Sequence, residues 1–207
     1  ETLGKFFTPE HLRGLWLGAR VRLDGNRLRV TQVEANSPAA KAGLRTGDTV
    51  LEVNEKPVAN FVEWARETAG RGKEKLSLKI FRGGRVVTTN LTLLQEEQVF
   101  NSKVIEERLG LTVRTLTKDL AEQLGLSFYG GYLITKVAAR GPGAEAGLEA
   151  GAVIQRVDDS QPQSLMAFAR DIHGRETNDP VRLNVVWEIR RGAFTQRRSG
   201  VATVKAQ

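Results

Sequence analysis

The sequence predicts a mixed α+β protein made of two homologous units in tandem. Three observations carry that expectation. The chain has 207 residues, a length that suits two domains of about 100 residues each. One stretch recurs without a gap 104 positions later. Within each copy, short runs with strand-like alternation are separated by brief helical patterns and glycine turns.

The repeat is densest around Ser37-Pro38-Ala39-Ala40-Lys41-Ala42-Gly43-Leu44 and Gly141-Pro142-Gly143-Ala144-Glu145-Ala146-Gly147-Leu148. Pro38, Ala42, Gly43, Leu44 and Gly47 match Pro142, Ala146, Gly147, Leu148 and Gly151. The register continues backward through Thr31/Thr135 and Val33/Val137, and forward through Val53/Val157, Trp64/Phe168, Ala65/Ala169 and Gly70/Gly174. An ungapped match of this extent marks a duplicated unit.

In the first unit, Leu28–Val33 alternates apolar and polar residues, the period of a half-buried strand. Ser37-Pro38 opens a short helix, with a hydroxyl cap and a proline at the first helical position. Gly43 stops it. Val50–Asn54 reads as a strand, and Asn60 as the cap of a helix from Phe61 to about Ala69, with Gly70 as its stop. Leu76–Phe81 and Val86–Leu93 form a hairpin around Gly83-Gly84.

The second unit repeats this order with strands at Tyr132–Val137, Val153–Val157 and Val181–Trp187 and a helix over 164–172. Its closing hairpin turns near Arg191-Gly192 and returns to Ala202–Val204. An insertion, Thr117–Leu126, adds a helix started by Thr117 and Asp119 and stopped by Gly125. Residues 95–107, polar and charged, read as a linker, which gives an extension at 1–14, units at 15–94 and 108–207, and the linker between them.

Composition narrows the chemistry. No cysteine is present, which excludes disulfides, thiol nucleophiles and cysteine-ligated zinc, and two histidines make a His-rich metal site untenable. The net charge of +7 divides into +4 over residues 1–100 and +3 over 101–207. Without a basic block, nucleic-acid binding is not indicated. No apolar run reaches the roughly 18 residues of a membrane-spanning helix. Glu1–Lys5 reads as the start of an excised segment rather than a natural chain start.

The stretch SPAAKAGLRTGDTVLEVNEKPV resembles a PDZ domain of the bacterial type. The second copy departs from the pattern where Ala152 replaces Asp48 and Gly141 replaces Ser37. A tandem pair, with TKDLAEQLGL ahead of GGYLITKV, is similar to the C-terminal half of the HtrA/Deg envelope serine proteases. The resemblance implies two PDZ-like domains, each a small, mostly antiparallel β-sandwich or partial barrel capped by two helices. It also implies capture of C-termini or extended segments by strand addition at a sheet edge, where glycine permits a tight cradle of N–H groups. The matching carboxylate loops are Leu17-Gly18-Ala19 and Leu109-Gly110-Leu111. The strands that would pair with peptide begin at Arg20-Val21 and Thr112-Val113. The facing helices would present Phe61, Trp64, Ala65 and Thr68, and Leu165, Phe168, Ala169 and Ile172. An apolar terminal residue would then be favoured. The same apolar stripes also read as core, and for Phe61, Trp64 and Phe168 core is the stronger reading.

Other residues have plainer readings. Trp16 stands at a groove mouth, in reach of a ligand, or is buried at the domain junction. Arg20 is a solvated strand residue, and Arg190, Arg191, Arg197 and Arg198 keep a hairpin soluble. His11 is a surface residue, and His173 ends a helix. No Gly-rich nucleophile segment accompanies a His and an acid, so no catalysis, cofactor or metal is expected of these residues. The resemblance implies a peptide-binding regulatory region in the bacterial periplasm, with a protease domain in cis and a possible homo-oligomer. The alternative is a non-catalytic scaffold or oligomerisation module of an envelope or secretion protein.

Overall fold

Alternation of buried and exposed residues builds both sheets. The structure, a computed structural model, describes residues 14–69, 75–191 and 194–207. His11 and the rest of 1–13, Gly70, and the hairpin turn at Gly192 lie outside the described residues, as do the side chains of Arg190 and Arg191. The chain divides into two compact units, Glu1–Val99 and Phe100–Gln207.

The first unit runs β1 (Leu15–Trp16), β2 (Ala19–Asp24), β3 (Arg27–Val33), α1 (Pro38–Lys41), β4 (Thr49–Val53), β5 (Lys56–Pro57), α2 (Phe61–Ala69), β6 (Lys75–Arg82), β7 (Arg85–Thr92), β8 (Leu94–Gln95) and α3 (Glu96–Val99). Its main sheet is antiparallel in the order β2-β3-β4-β6-β7, with β5 alongside β4. A separate ribbon pairs β1 with β8. In β3, Leu28 and Val30 are buried while Arg27, Arg29 and Thr31 are exposed. In β6, Leu76, Leu78 and Ile80 face inward. These side chains close a core with Val53 and Trp64, the latter contributed by α2. Each such burial contributes about 1.5–3 kcal/mol before ordering costs are counted.

The caps follow the sequence. Asn60 Oδ1 accepts the N–H groups of Val62 and Glu63, each at 3.0 Å. Glu63 reaches back to the Ala59 N–H at 2.7 Å, so the start of α2 is satisfied from both directions. The turn before β4 is tied to the hairpin by Asp48, whose carboxylate meets Arg82 at 2.6 Å and the Arg45 N–H at 2.8 Å. Arg82 also donates to Gly43 O, and Thr89 to Ala42 O.

The second unit runs α4 (Ser102–Leu109), β9 (Leu111–Thr115), α5 (Lys118–Leu124), β10 (Tyr132–Val137), α6 (Pro142–Glu145), β11 (Val153–Val157), α7 (Leu165–His173), β12 (Pro180–Arg191) and β13 (Phe194–Lys205). One antiparallel sheet has the order β13-β12-β11-β10-β9. The pairs α1/α6, β4/β11 and α2/α7 each begin 104 residues apart, as the repeat requires. Thr117 caps the inserted α5 and Gly125 ends it in the left-handed region. The loop after α5 is clipped to the hairpin: Ser127 donates to Glu188 through its N–H and hydroxyl, and Arg197 lies 4.5 Å above the Phe128 ring.

The expected linker differs most from the structure. Its polar composition suggested an irregular segment, yet residues 96–99 and 102–109 are helical. The reason is a sparse apolar set that composition hides: Phe100, Ile105 and Leu109 are buried, and Asn101 caps α4 at the Lys103 N–H. The boundary between units falls at Val99/Phe100, so α4 belongs to the second.

Candidate functional site

The first glycine loop is held by its carbonyls. Leu17 C=O accepts the Ala39 N–H at 3.0 Å, from the first turn of α1. Gly18 C=O accepts the Glu34 N–H at 2.9 Å and the Ser37 hydroxyl at 3.1 Å. The same Ser37 oxygen accepts the Ala40 N–H at 3.1 Å. Ser37 thus caps α1 and anchors the loop at once, a role wider than the cap the sequence suggested.

With the carbonyls turned inward, the N–H groups turn outward. Those of Leu17 and Gly18 find no acceptor among the described residues. The Glu34–Gly18 bond makes Ala19/Val33 a non-hydrogen-bonded pair, so Ala19 directs its N–H and C=O off the sheet. β2 is an edge strand. Three consecutive N–H groups without acceptors beside an edge strand have the chemistry to hold a carboxylate, whose charge strengthens each hydrogen bond.

Gly18 is required there. Its φ is +73°, and a Cβ would stand 2.1 Å from Ser37 Cβ and 3.0 Å from the Trp16 ring. Trp16 is buried against this loop. Arg20 is exposed and Val21 is buried, as alternation along β2 demands.

The second loop has the same framework and a different state. Gly110 has φ +69° and its C=O accepts the Ala138 N–H at 2.8 Å, the counterpart of the Glu34 contact. But Gly110 also ends α4, and its N–H is bound to Glu106 O at 2.9 Å. Leu109 lies inside α4, where its N–H serves the helix. Only Leu111, opposite Val137, still directs its N–H off the β9 edge. Thr112 is half-buried and Val113 buried.

α4 is moreover packed on α7. Phe100 meets His173 edge-on at 5.3 Å, and the Arg170 guanidinium lies 5.1 Å over the Phe100 ring. Arg108 donates to Arg175 O and accepts the Gln207 N–H at 2.9 Å on its carbonyl. Within residues 95–107 the signals for this helix are the Asn101 cap and the apolar Phe100 and Ile105.

The helix residues expected to face a ligand divide sharply. Trp64, Phe168, Ala169 and Ile172 have no exposed surface, and Thr68 is buried with its hydroxyl donating to Trp64 O at 2.7 Å. These five face the cores, since burying a large apolar side chain outweighs leaving it at a rim. Phe61, Ala65 and Leu165 remain half-exposed. On α2, hydrogen bonding from Lys56, with the Nζ 2.9 Å away, holds the Glu67 carboxyl below the usual carboxylate range. Among the described residues no cluster of three metal-ligating side chains occurs, and no helix is long and apolar enough to cross a membrane.

Residues 29–82 match the PDZ domain family. The first unit contains a PDZ domain. The glycine loop, edge strand and capped α1 described above flank or fall within that match. The chain is also similar to the periplasmic serine endoprotease DegP of Salmonella typhimurium, 31% identical over 160 residues that cover 75% of this chain and 31% of that protein. DegP of Escherichia coli K12 is 31% identical over 142 residues, covering 67% and 28%. A probable DegP-like endoprotease of Ectopseudomonas mendocina is 29% identical over 177 residues, covering 80% and 37%. The region is thus a PDZ region of the HtrA/Deg type, and it spans about a third of the length of these relatives. Among solved structures, the HtrA3 PDZ domain bound to a phage-derived ligand is 21% identical, covering 39% of this chain and 85% of that one, with a TM-score of 0.35.

Proposed function

We propose that this chain is a peptide-recognising region of a periplasmic protein, and that the PDZ domain of the first unit captures the C-terminus of an extended segment. The observation that carries this reading is the set of outward N–H groups at Leu17, Gly18 and Ala19 beside the open β2 edge. A terminal carboxylate would occupy the cradle, the peptide would add to β2 as a strand, and its last apolar side chain would pack toward Phe61 and Ala65. The second unit is a second PDZ-like domain of the tandem, spanning 108–207 with α4 as an addition, and its loop is closed by that helix. A structural role fits that unit better than peptide capture. In the full-length protein a serine protease domain would precede this region and receive the captured substrate, as similarity to DegP suggests.

Titration of the 207-residue chain with peptides ending in Val, Leu or Phe tests the reading. Free-acid peptides are expected to shift the amide resonances of Leu17, Gly18 and Ala19, and the matching C-terminal amides to bind at least about ten-fold more weakly. Equal affinity for acid and amide, or shifts confined to the second unit, would overturn it.

A further inference from the structure

The two units treat one position in opposite ways. In the first, the turn before β4 is bolted to the hairpin by Asp48, Arg82 and Thr89. Sheet register identifies the corresponding residues of the second. Thr49 pairs with Phe81 and Val153 with Val186, so the next residues, Arg82 and Trp187, correspond. Leu78 faces Thr89 as Leu183 faces Ala202. Asp48 corresponds to Ala152 by the repeat. All three polar ties are therefore replaced, by Ala152, Trp187 and Ala202.

In their place the second unit has a pocket of about 440 Å³. Leu148, Ala152, Val185, Trp187, Gly200 and Ala202 line it, together with the acidic residues Glu149 and Glu188. Gly200 keeps it open: a Cβ there would meet the Trp187 ring at 3.3 Å. Glu149 is exposed and has no partner among the described residues. The volume suits one large side chain with its neighbours.

The pocket borders an open strand edge. Among the described residues β13 is paired only to β12. Ala206 N–H donates to Asp179 O at 3.0 Å, so Pro180/Lys205 is a non-hydrogen-bonded pair. The ladder runs without a shift, so Thr203, Val201 and Ser199 also turn their N–H and C=O groups outward. A strand added there would run along β13, with alternate side chains on the face of Trp187, Gly200 and Ala202.

We propose that this edge, opposite the β9 edge in the sheet of the second unit, is a second docking site for an extended polypeptide segment that places an apolar or aromatic side chain against Trp187 and a neighbouring Lys or Arg against Glu149. The occupant is extended because the donors and acceptors on offer are those of a strand edge, and basic because both charged residues that line the pocket, Glu149 and Glu188, are acidic, and Ser127 and Arg197 already hold Glu188 while Glu149 stays exposed. No terminal carboxylate is needed, so the site fits internal segments.

The probe is the blocked peptide acetyl-Thr-Lys-Thr-Phe-Thr-Lys-Thr-amide, which has no carboxylate for the first loop. Titrated into the 207-residue chain, it is expected to shift the Trp187 indole and the Ser199, Val201 and Thr203 amides saturably, leaving Leu17–Ala19 unmoved. Gly200→Val fills the pocket, and the triple change Ala152→Asp, Trp187→Arg, Ala202→Thr rebuilds the tie of the first unit. Each is expected to weaken binding at least about ten-fold. Glu149→Gln, or Glu in place of Lys in the peptide, is expected to weaken it about three-fold. Three results would overturn the proposal: no shift at these residues up to millimolar peptide, undiminished affinity in both filled variants, or shifts that follow protein concentration alone. The last would make a second copy of the chain the occupant. Because the peptide is blocked at both ends, this failure is distinct from failure of carboxylate capture at Gly18.

Discussion

A single missing side chain decides what the first loop can do. At Gly18 the chain needs a positive φ and an approach to Ser37 that no Cβ allows, since the two β-carbons would be 2.1 Å apart. At Gly110 the φ is similar but the nearest atom to a Cβ is 3.1 Å away, and it belongs to another glycine, Gly141. Gly18→Ala is expected to destabilise the first unit by about 3 kcal/mol or more, through left-handed strain and overpacking together. Gly110→Ala should cost less, about 1–2 kcal/mol of left-handed strain, with contacts at 3.1 Å to Gly141 and 3.3 Å to Pro142 that need only small shifts. Denaturant unfolding of both variants checks the ordering, and equal losses would contradict the geometry. The glycines themselves were legible in the sequence. The difference between them was not, because it depends on Ser37 facing Gly18 and Gly141 facing Gly110 across the loop.

Among the elements, α4 has the largest consequence. A helix that ends on Gly110 takes the N–H that a carboxylate loop would offer, binding it to Glu106 O at 2.9 Å. The corresponding segment of the first unit is the two-residue strand β1, which leaves the Leu17 and Gly18 N–H groups without acceptors among the described residues. Hydrogen exchange should separate the two loops: the Gly110 amide is expected to exchange slowly and the Leu17 and Gly18 amides fast. Fast exchange at Gly110 would show that α4 does not hold the second loop closed. Strands and capped helices were read from the sequence within a residue or two at β10, β11, α2 and α7, because alternation, Ser, Asn and Thr caps and glycine stops act over three or four residues. The α4 segment escaped, since only Phe100, Ile105 and Leu109 carry its burial in a stretch otherwise polar.

Across the whole molecule, charge couples stability to pH. Burial pushes the Asp158 carboxyl up, but the Arg182 N–H at 2.9 Å and the Arg175 guanidinium at 2.6 Å outweigh it and hold it below the ordinary aspartate range. Burial likewise raises Glu188, and the Ser127 hydroxyl and N–H with the Arg197 guanidinium bring it below the usual range. A carboxyl whose folded pKa is depressed contributes stability above its unfolded pKa and loses it as pH falls through the folded value. The second unit is therefore expected to lose stability below about pH 4. Asp158→Asn should lower its stability at neutral pH and flatten that acid limb. Acid unfolding of the variant that follows the parent curve would refute the assignment.

The sequence by itself determined the duplication at 104 residues, the order of the strands and helices that repeat, the caps of α1, α2, α5 and α7, and the position of both glycine loops. All of these rest on short-range spacing or direct identity, which a linear chain displays. Tertiary structure alone decided which loop presents free N–H groups, which helix residues are core, and where a pocket opens. Those outcomes turn on partners far apart in the chain, such as Asp48 with Arg82 or Gly18 with Ser37, and on the burial of a few apolar residues in a polar segment. Packing brings such groups together only when the sheets form, so spacing in the sequence cannot disclose them.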